Sequence, residues 1–403
     1  MTKIVVIGAG QAGSSLVAKL RNDGFEGHIT LIGEEPVLPY QRPPLSKKYL
    51  LGEMALERLF LRPEKFYQDN GIDLHLGEHV SAIERAEKAV IVGGKRVEYD
   101  HLVLTTGSVP RRLPANIGGA LGGVFVVRDL RDVDAMAPGF TEGARVLIVG
   151  GGYIGLEAAA VAAKKGLNVT LVEMSERILQ RVAAPETSNY FRALHAAHGV
   201  DIREGVGLDH LIGEARVRGA KLTDGRELEV DFVIVGVGIM PATALAEQAG
   251  LETENGIKTN ELGQTSDTAI WAAGDCASFP HENGRLRLES VPNAIDMAEV
   301  VAGNMLGASK AYVPQPWFWS DQYEVKLQIA GLSTGYTKII TRPGDREGSV
   351  SYWYFRDNQL LAVDAMNEPR AYMVGKRLID NGKSPDPEVI SDPALDLKTL
   401  LKA

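Results

Sequence analysis

Two glycine turns of the same design constrain most of what this chain can become. Ile4-Val-Val-Ile-Gly8-Ala-Gly10-Gln-Ala-Gly13 is an apolar run that ends in spaced glycines and passes into a helical segment. Val146-Leu-Ile-Val-Gly150-Gly-Gly152-Tyr-Ile-Gly155-Leu-Glu157 repeats the device further along. Glycines remove the Cβ atoms that would keep a backbone from closing on a pyrophosphate. The helix N-terminus that follows offers free N–H groups and a positive dipole end. One such turn is weak evidence. Two imply two dinucleotides, and two dinucleotides in one chain suggest electron transfer between them.

Each turn sits in a βαβ context. The first unit reads as strands at Ile4–Ile7 and Ile29–Ile32 around a helix from Gln11 to Asn22. It ends at Gly33-Glu34-Glu35, where an acid can accept hydrogen bonds from a ribose 2′-hydroxyl, about 20 residues past the glycines. The second unit reads as a strand at Arg145–Val149, a helix at Ile154–Lys165 and a strand at Asn168–Val172, followed by Glu173. An acid there favours NAD, because a 2′-phosphate would be repelled and would prefer an arginine. Arg177 and Arg181 lie a little beyond it.

At 403 residues the chain calls for two or three domains. A hydrophobic content of 45% with 24% charged residues is that of a soluble globular protein. The balance of 43 basic to 52 acidic residues, a net charge of −9, argues against nucleic-acid binding and against docking on anionic membranes. No apolar run has the length of a bilayer span, and the first apolar run is needed as a strand, so the expected location is the cytoplasm. The single cysteine, Cys276, excludes an internal disulfide and an all-cysteine metal site; no metal is expected.

Between and after these units the texture is informative in places. Pro43 and Pro44 are expected to exclude a helix and hold an extended backbone. From Arg42 to Lys65 six basic residues stand against three acidic ones; this is either an ordinary solvated stretch or a landing patch for an acidic partner. Short strands are expected at Ile72–Leu76, Ala89–Val92 and Leu102–Leu104. Pro110–Pro114 reads as a linker. Asp231–Pro241 reads as a buried strand with a glycine turn, and Thr265–Asp275 as a strand ending in Gly274-Asp275. A helix at Val291–Leu306 follows. From Tyr312 onward an aromatic stretch and strand-like segments at Lys326–Ile329, Lys338–Thr341 and Val350–Phe355 read as a smaller α+β domain.

Five ordered motifs carry a resemblance: Arg42-Pro-Pro-Leu-Ser-Lys47, Gly150-Gly-Gly-Tyr-Ile-Gly-Leu-Glu157, Ala273-Gly-Asp-Cys276, Glu289-Ser-Val-Pro-Asn-Ala294 and Pro316-Trp-Phe-Trp-Ser-Asp-Gln322. Over essentially its whole length the chain resembles the FAD- and NADH-dependent ferredoxin reductases of bacterial oxygenase systems, of the putidaredoxin reductase and biphenyl dioxygenase reductase type. More distantly it is similar to apoptosis-inducing factor and rubredoxin reductase. The resemblance implies an α/β fold with two Rossmann-like dinucleotide-binding domains in a glutathione-reductase-like architecture, plus a small α+β C-terminal domain. It implies an FAD domain from residues 1–110 and 240–315, an NADH domain from 111–239, and a C-terminal domain, 316–403, covering the flavin.

Carried over residue by residue, the resemblance implies that Gly8, Gly10, Ala12 and Gly13 hold the FAD pyrophosphate, with Glu34 and Glu35 at its ribose. Arg42, Lys47, Val80, Thr106, Arg128, Gly274, Asp275 and Val291 would line the rest. Asp275 belongs against a ribityl hydroxyl or the pyrophosphate side. Lys47 belongs near flavin N5 and could pair with Glu157, because a buried lysine needs such a partner; these two are the catalytic candidates. Of Trp317 and Trp319, one flanks the flavin or nicotinamide pocket and the other fills the C-terminal core, Trp319 being assigned to the flavin. For NADH, the resemblance implies Gly150, Gly152, Tyr153, Ile154, Gly155 and Glu157 at the pyrophosphate turn and nicotinamide approach, Glu173 at the ribose, and Gly238 and Glu289 closing the pocket.

The same architecture serves disulfide reductases and peroxidases, which need a redox thiol beside the flavin. Arg42–Lys47 supplies none, and Cys276 has no resolving partner. The expected reaction is therefore hydride transfer from NADH to FAD, followed by single-electron transfer to a small acidic 2Fe–2S ferredoxin serving an oxygenase. Other acceptors stay open: rubredoxin, a quinone, a monodehydroascorbate-type radical or a nitrite reductase partner. So do a redox-sensing interaction protein like apoptosis-inducing factor and a purely structural use of FAD.

Overall fold

The computed structural model describes residues 1–282 and 284–402, which gather into two compact units. The first comprises Met1–Arg42, Ala55–Val109 and Ile239–Pro316. The second comprises Pro43–Met54, Pro110–Gly238 and the chain from Trp317 onward.

The centre of the first unit is a five-stranded parallel sheet in the order Ile270–Ala272, His101–Leu104, Lys3–Ile7, His28–Gly33, Ile72–Leu76. Its middle strand is apolar from Ile4 to Ile7 and buried along that length, as a parallel strand covered on both faces must be. Ile4 pairs with Ile29 on one side and His101 on the other. Helix Gln11–Asn22 packs against helix Val291–Met305, and Leu16, Val17, Leu20, Met297 and Val301 from these two helices join the strands in one core. An antiparallel sheet, Val80–Glu84, Ala89–Val92 and Lys95–Glu98, completes the scaffold together with a small sheet that includes Ala277–His281.

The second unit repeats the plan. Its parallel sheet runs in the order Asp201–Glu204, Asn168–Glu173, Arg145–Val149, Phe232–Val235, Val124–Phe125. Helix Tyr153–Lys164 follows the central strand, and its alanine-rich sequence lets every residue from Gly155 to Ala162 be buried. The same unit holds a five-stranded antiparallel sheet in the order Trp317–Gln322, Val325–Gly331, Gln359–Met366, Val350–Arg356, Lys338–Pro343, against which helix Pro369–Asp380 packs. The α/β class, with two nucleotide-binding βαβ units and an α+β C-terminal segment, is therefore the observed one.

Three local expectations need correction. Pro43–Ser46 is a turn of 3₁₀ helix, not extended chain. Proline is tolerated in a first helical turn, where its missing N–H has no partner to lose, and Pro44 O accepts from the N–H groups of Lys47 and Tyr49. Trp317–Gln322, read from sequence only as an aromatic stretch, is a strand. The second fingerprint helix also begins at Tyr153, one residue before the expected start.

Candidate functional site

The two glycine turns are built alike, and their glycines divide into two kinds. At Gly8, with φ +114°, a Cβ would strike the carbonyl oxygen of Thr105, and at Gly13 it would strike that of Gly8. At Gly150, with φ +109°, it would strike the oxygen of Gly236, and at Gly155 that of Gly150. The protein's own packing demands glycine at all four. Gly10 and Gly152 differ: a Cβ at either would meet nothing within 4 Å. Each is the N-cap of a twelve-residue helix and offers no capping side chain. Open space beside uncapped helix N–H groups is the cradle a pyrophosphate needs, so the residues present fit one dinucleotide at each turn.

Around the first turn, Thr105 donates its hydroxyl to the oxygen of Gly8 at 2.8 Å. Gly274, with φ +81°, brings its turn against the first helix: a Cβ there would lie 3.1 Å from Ala12 Cβ. Asp275 accepts from Ser108 Oγ at 3.0 Å, and Thr106 Oγ1 donates to Ala242 O at 2.7 Å. Beyond the second strand the two acids separate. Glu35 accepts from Tyr40 and Arg42, each at 2.6 Å. Glu34 remains exposed, with His79 Nδ1 at 3.6 Å. Val80 is buried in the core. Val291 opens its helix behind the Ser290 N-cap, and Glu289 pairs with Arg287 at 2.6 Å. All of these belong to the first unit; Lys47, Arg128 and Trp319 belong to the second.

In the second unit, Glu173 folds back on the glycine turn, accepting from Gly151 N at 2.8 Å and Ser175 N at 2.7 Å. Arg177 is spent on Ser188 Oγ at 2.5 Å and on backbone oxygens such as that of Ala183 at 2.8 Å. Gly238 has φ +98° and accepts from Arg111 N. Arg128 N donates to Asp132 Oδ2 at 3.0 Å. Tyr153 packs its ring 5.1 Å from that of Phe318, and its buried hydroxyl has no partner among the described residues; burial pushes its phenol well above the ordinary value. Ile154 is exposed beside it. Trp317 packs into the C-terminal core and against Tyr372, with Trp319 tilted 5.6 Å from it.

Glu157 is the charged centre of this unit, 2% exposed. Lys47 Nζ donates to its Oε2 at 2.7 Å and to Pro43 O at 3.2 Å. Ser46 Oγ donates to the same Oε2 at 2.7 Å, and Ser320 Oγ to Oε1 at 2.7 Å. Three donors converge on one buried carboxylate, the arrangement that offsets the cost of burying an ion pair. The sequence points to the pair but not to Ser46 or Ser320. Both lie inside motifs singled out above, and a serine within an apolar or aromatic run is the available signal, since a buried hydroxyl must find a partner.

Cys276 is fully buried; its thiol lies 3.4 Å from Leu104 O and 3.5 Å from Ala273 O, and burial pushes its pKa up. A thiol so placed is neither a nucleophile nor one half of an exchanging pair. No helix among the described residues is long and apolar enough to cross a membrane, and no His/Cys/Asp/Glu group there could hold a metal ion.

Residues 2–298 match the family described as pyridine nucleotide-disulphide oxidoreductase, and residues 317–401 match a reductase C-terminal family. The chain is 41% identical to a ferredoxin–NAD(P)(+) reductase of Sphingomonas sp., over 99% of this chain and 97% of that one. It is 39% identical to putidaredoxin reductase of Pseudomonas putida, over 99% and 97%. Among solved structures it superposes on the covalent putidaredoxin reductase–putidaredoxin complex with a TM-score of 0.95 at 39% identity, covering 100% of this chain and 98% of that one.

Proposed function

This chain belongs to the pyridine nucleotide-disulphide oxidoreductase family, and from that premise we propose that it is an FAD-dependent, NADH-oxidising ferredoxin reductase. Its acceptor is a 2Fe–2S ferredoxin that serves an oxygenase. The observation that carries this reading is the pairing of two dinucleotide turns of one design with a lone, buried Cys276. Electrons that arrive from a nicotinamide find no thiol pair in this chain, its one cysteine being buried. The full-length relatives that act with ferredoxins support the same acceptor.

We assign FAD to residues 1–110 and 240–315 and NADH to 111–239. Gly8, Gly10, Ala12 and Gly13 then hold the FAD pyrophosphate, with Asp275 on the adjoining turn and Glu34 at the ribose. Gly150, Gly152 and Gly155 hold that of NADH, with Glu173 at its ribose. When bound, the flavin supplies the conversion from a two-electron donor to a one-electron acceptor. The chain's part is positioning and electrostatics. Lys47 Nζ donates a hydrogen bond to the Glu157 carboxylate, and Glu173 places negative charge where a 2′-phosphate would sit. The cytoplasm is the location this reading favours, as the compartment where NADH is at hand.

The deciding experiment is an anaerobic titration followed by an acceptor panel. The purified protein should be yellow, bleach with NADH, and reduce 2Fe–2S ferredoxins at turnover rates above those with rubredoxins. Colourless protein that takes up no flavin sinks the reading. Rapid reduction of rubredoxin with slow reduction of every ferredoxin would move it to the rubredoxin branch.

A further inference from the structure

Glu157 is the end of a longer buried chain. Ser320 Oγ, which lies 2.7 Å from Glu157 Oε1, is also 3.1 Å from Gln322 Nε2. Gln322 Oε1 is 2.8 Å from His195 Nε2, and His195 Nδ1 is 3.2 Å from Tyr323 Oη. Ser320, Gln322 and His195 are fully buried. Ser320 and Gln322 are two residues apart on one strand and so share its face. His195 comes from helix Pro185–Ala197.

The polarity of this chain follows from one end. A carboxylate only accepts, so the single proton of Ser320 must point to Glu157. Ser320 can then only accept from Gln322, which turns the amide oxygen toward His195. His195 must therefore carry its proton on Nε2. Burial pushes its pKa down to about 4, so at neutral pH the ring is uncharged, Nδ1 is bare, and Tyr323 donates to it. Every donor faces one way.

We propose that Gln322 and His195 are positioning residues that act through Ser320 to lock the Glu157 carboxylate in the orientation that holds Lys47. The proposal deepens the ferredoxin-reductase reading and rests on it, since that reading makes the Lys47–Glu157 pair the catalytic candidates. The chain orients and does not conduct: a side-chain amide is a poor carrier of protons, so Gln322 interrupts any relay from His195.

Two experiments test this. The first needs no turnover and follows ¹⁵N NMR of the histidine rings in the protein as purified. The unaltered chain should show His195 neutral with its proton on Nε2 at pH 7. In Glu157→Gln, Ser46 and Lys47 still donate on one side, so the new amide must turn its nitrogen to Ser320. Ser320 then donates to Gln322, the Gln322 amide flips, and the His195 proton moves to Nδ1. A tautomer that stays on Nε2 in Glu157→Gln, or that begins on Nδ1 in the unaltered chain, overturns the proposal.

The second experiment measures the rate of flavin bleaching by NADH in single turnover. Ser320→Ala should lower it by about tenfold, the scale of one lost hydrogen bond to a charged group, with the KM for NADH unchanged. Ser320→Thr, which keeps the hydroxyl, should restore it. Gln322→Glu is the same size but takes the Ser320 proton for itself, so it should be as slow as Ser320→Ala. A Gln322→Glu variant at least as fast as the unaltered chain would overturn the proposal in favour of proton conduction. Equal rates for the Ala and Thr variants would reduce Ser320 to packing. If Gln322→Glu does not fold, the Ser320 pair decides alone. If NADH fails to bleach even the unaltered chain, the reductase reading has failed, and the histidine tautomers still decide whether the chain is polarised.

Discussion

At the scale of the residue, the two kinds of glycine make opposite predictions. Gly155→Ala places a methyl group on the carbonyl oxygen of Gly150. Backbone must move, at a cost of about 1–3 kcal/mol, and the melting temperature should fall by several degrees. Gly152→Ala meets open space, and its melting temperature should hold while NADH binding weakens about tenfold or more. Differential scanning fluorimetry beside NADH titration checks both; equal thermal effects would remove the distinction between packing and ligand glycines. Glu173 gives a second test. Glu173→Gln keeps an acceptor for Gly151 or Ser175 but discards the charge, so the ratio of kcat/KM for NADPH to that for NADH should rise about tenfold, the scale of one unit charge at a few ångströms in a partly polar site. An unmoved ratio would take cofactor choice away from Glu173. The spacing of these residues made them legible in the sequence. It did not reveal that Glu35 is committed to Arg42 and Tyr40 while Glu34 is left outward, because both acids follow the same strand and only the tertiary position of Arg42 separates them.

At the scale of the element, what the sequence hid was a strand with its usual pattern inverted. Trp317–Gln322 buries Ser320 and Gln322, while its tryptophans are only half-buried. Alternation of apolar and polar residues identifies strands when the apolar side is the buried side; here the buried side is polar because Glu157 and His195 wait for it. The parallel strands around each glycine turn were legible because both faces are apolar and covered. The same unit holds a second buried polar knot. Thr187 Oγ1 donates to Asp364 Oδ2 at 2.7 Å, and Tyr354 Oη donates to the same oxygen. Burial pushes the Asp364 carboxyl up to about 6, against those hydrogen bonds. Between its ordinary value of 3.8 and about 6 the folded chain keeps a proton that the unfolded chain has lost. Asp364 therefore contributes stability that is present below that interval and lost as pH rises through it. His195, lowered by burial from 6.5 to about 4, runs the other way and costs stability on acidification. Asp364→Asn removes only the first effect. The melting-temperature gap between the unaltered chain and this variant should widen as pH falls from 6 to 4; a gap constant with pH would show that Asp364 does not titrate there.

At the scale of the whole molecule, the proposed reading asks a chain of net charge −9 to receive the acidic ferredoxin expected from its sequence. Mean charge opposes the encounter, so any steering must come from local cations. The Arg42–Lys65 excess suggested one such patch, but a charge count does not see which side chains are already engaged. Arg42 is held by Glu35 and Lys47 by Glu157. Arg62 donates to Ser14 Oγ at 2.9 Å and covers the Phe66 ring, and Lys65 lies 3.2 Å from Asp69. Lys48 and Arg58 are exposed, and the segment divides between the two units. Charge reversal at Arg62 would therefore test folding before it tested docking. Lys48→Glu and Arg58→Glu are the cleaner probes. If this stretch receives the ferredoxin, each should raise the apparent ferredoxin KM about threefold to tenfold at low salt. The effect should shrink toward 0.5 M salt, where the screening length falls to about 4 Å. NADH–ferricyanide activity, which needs no docked protein, should stay as it was. A ferredoxin KM indifferent to both reversals and to salt would place the docking surface elsewhere and leave these cations as ordinary solvated charges.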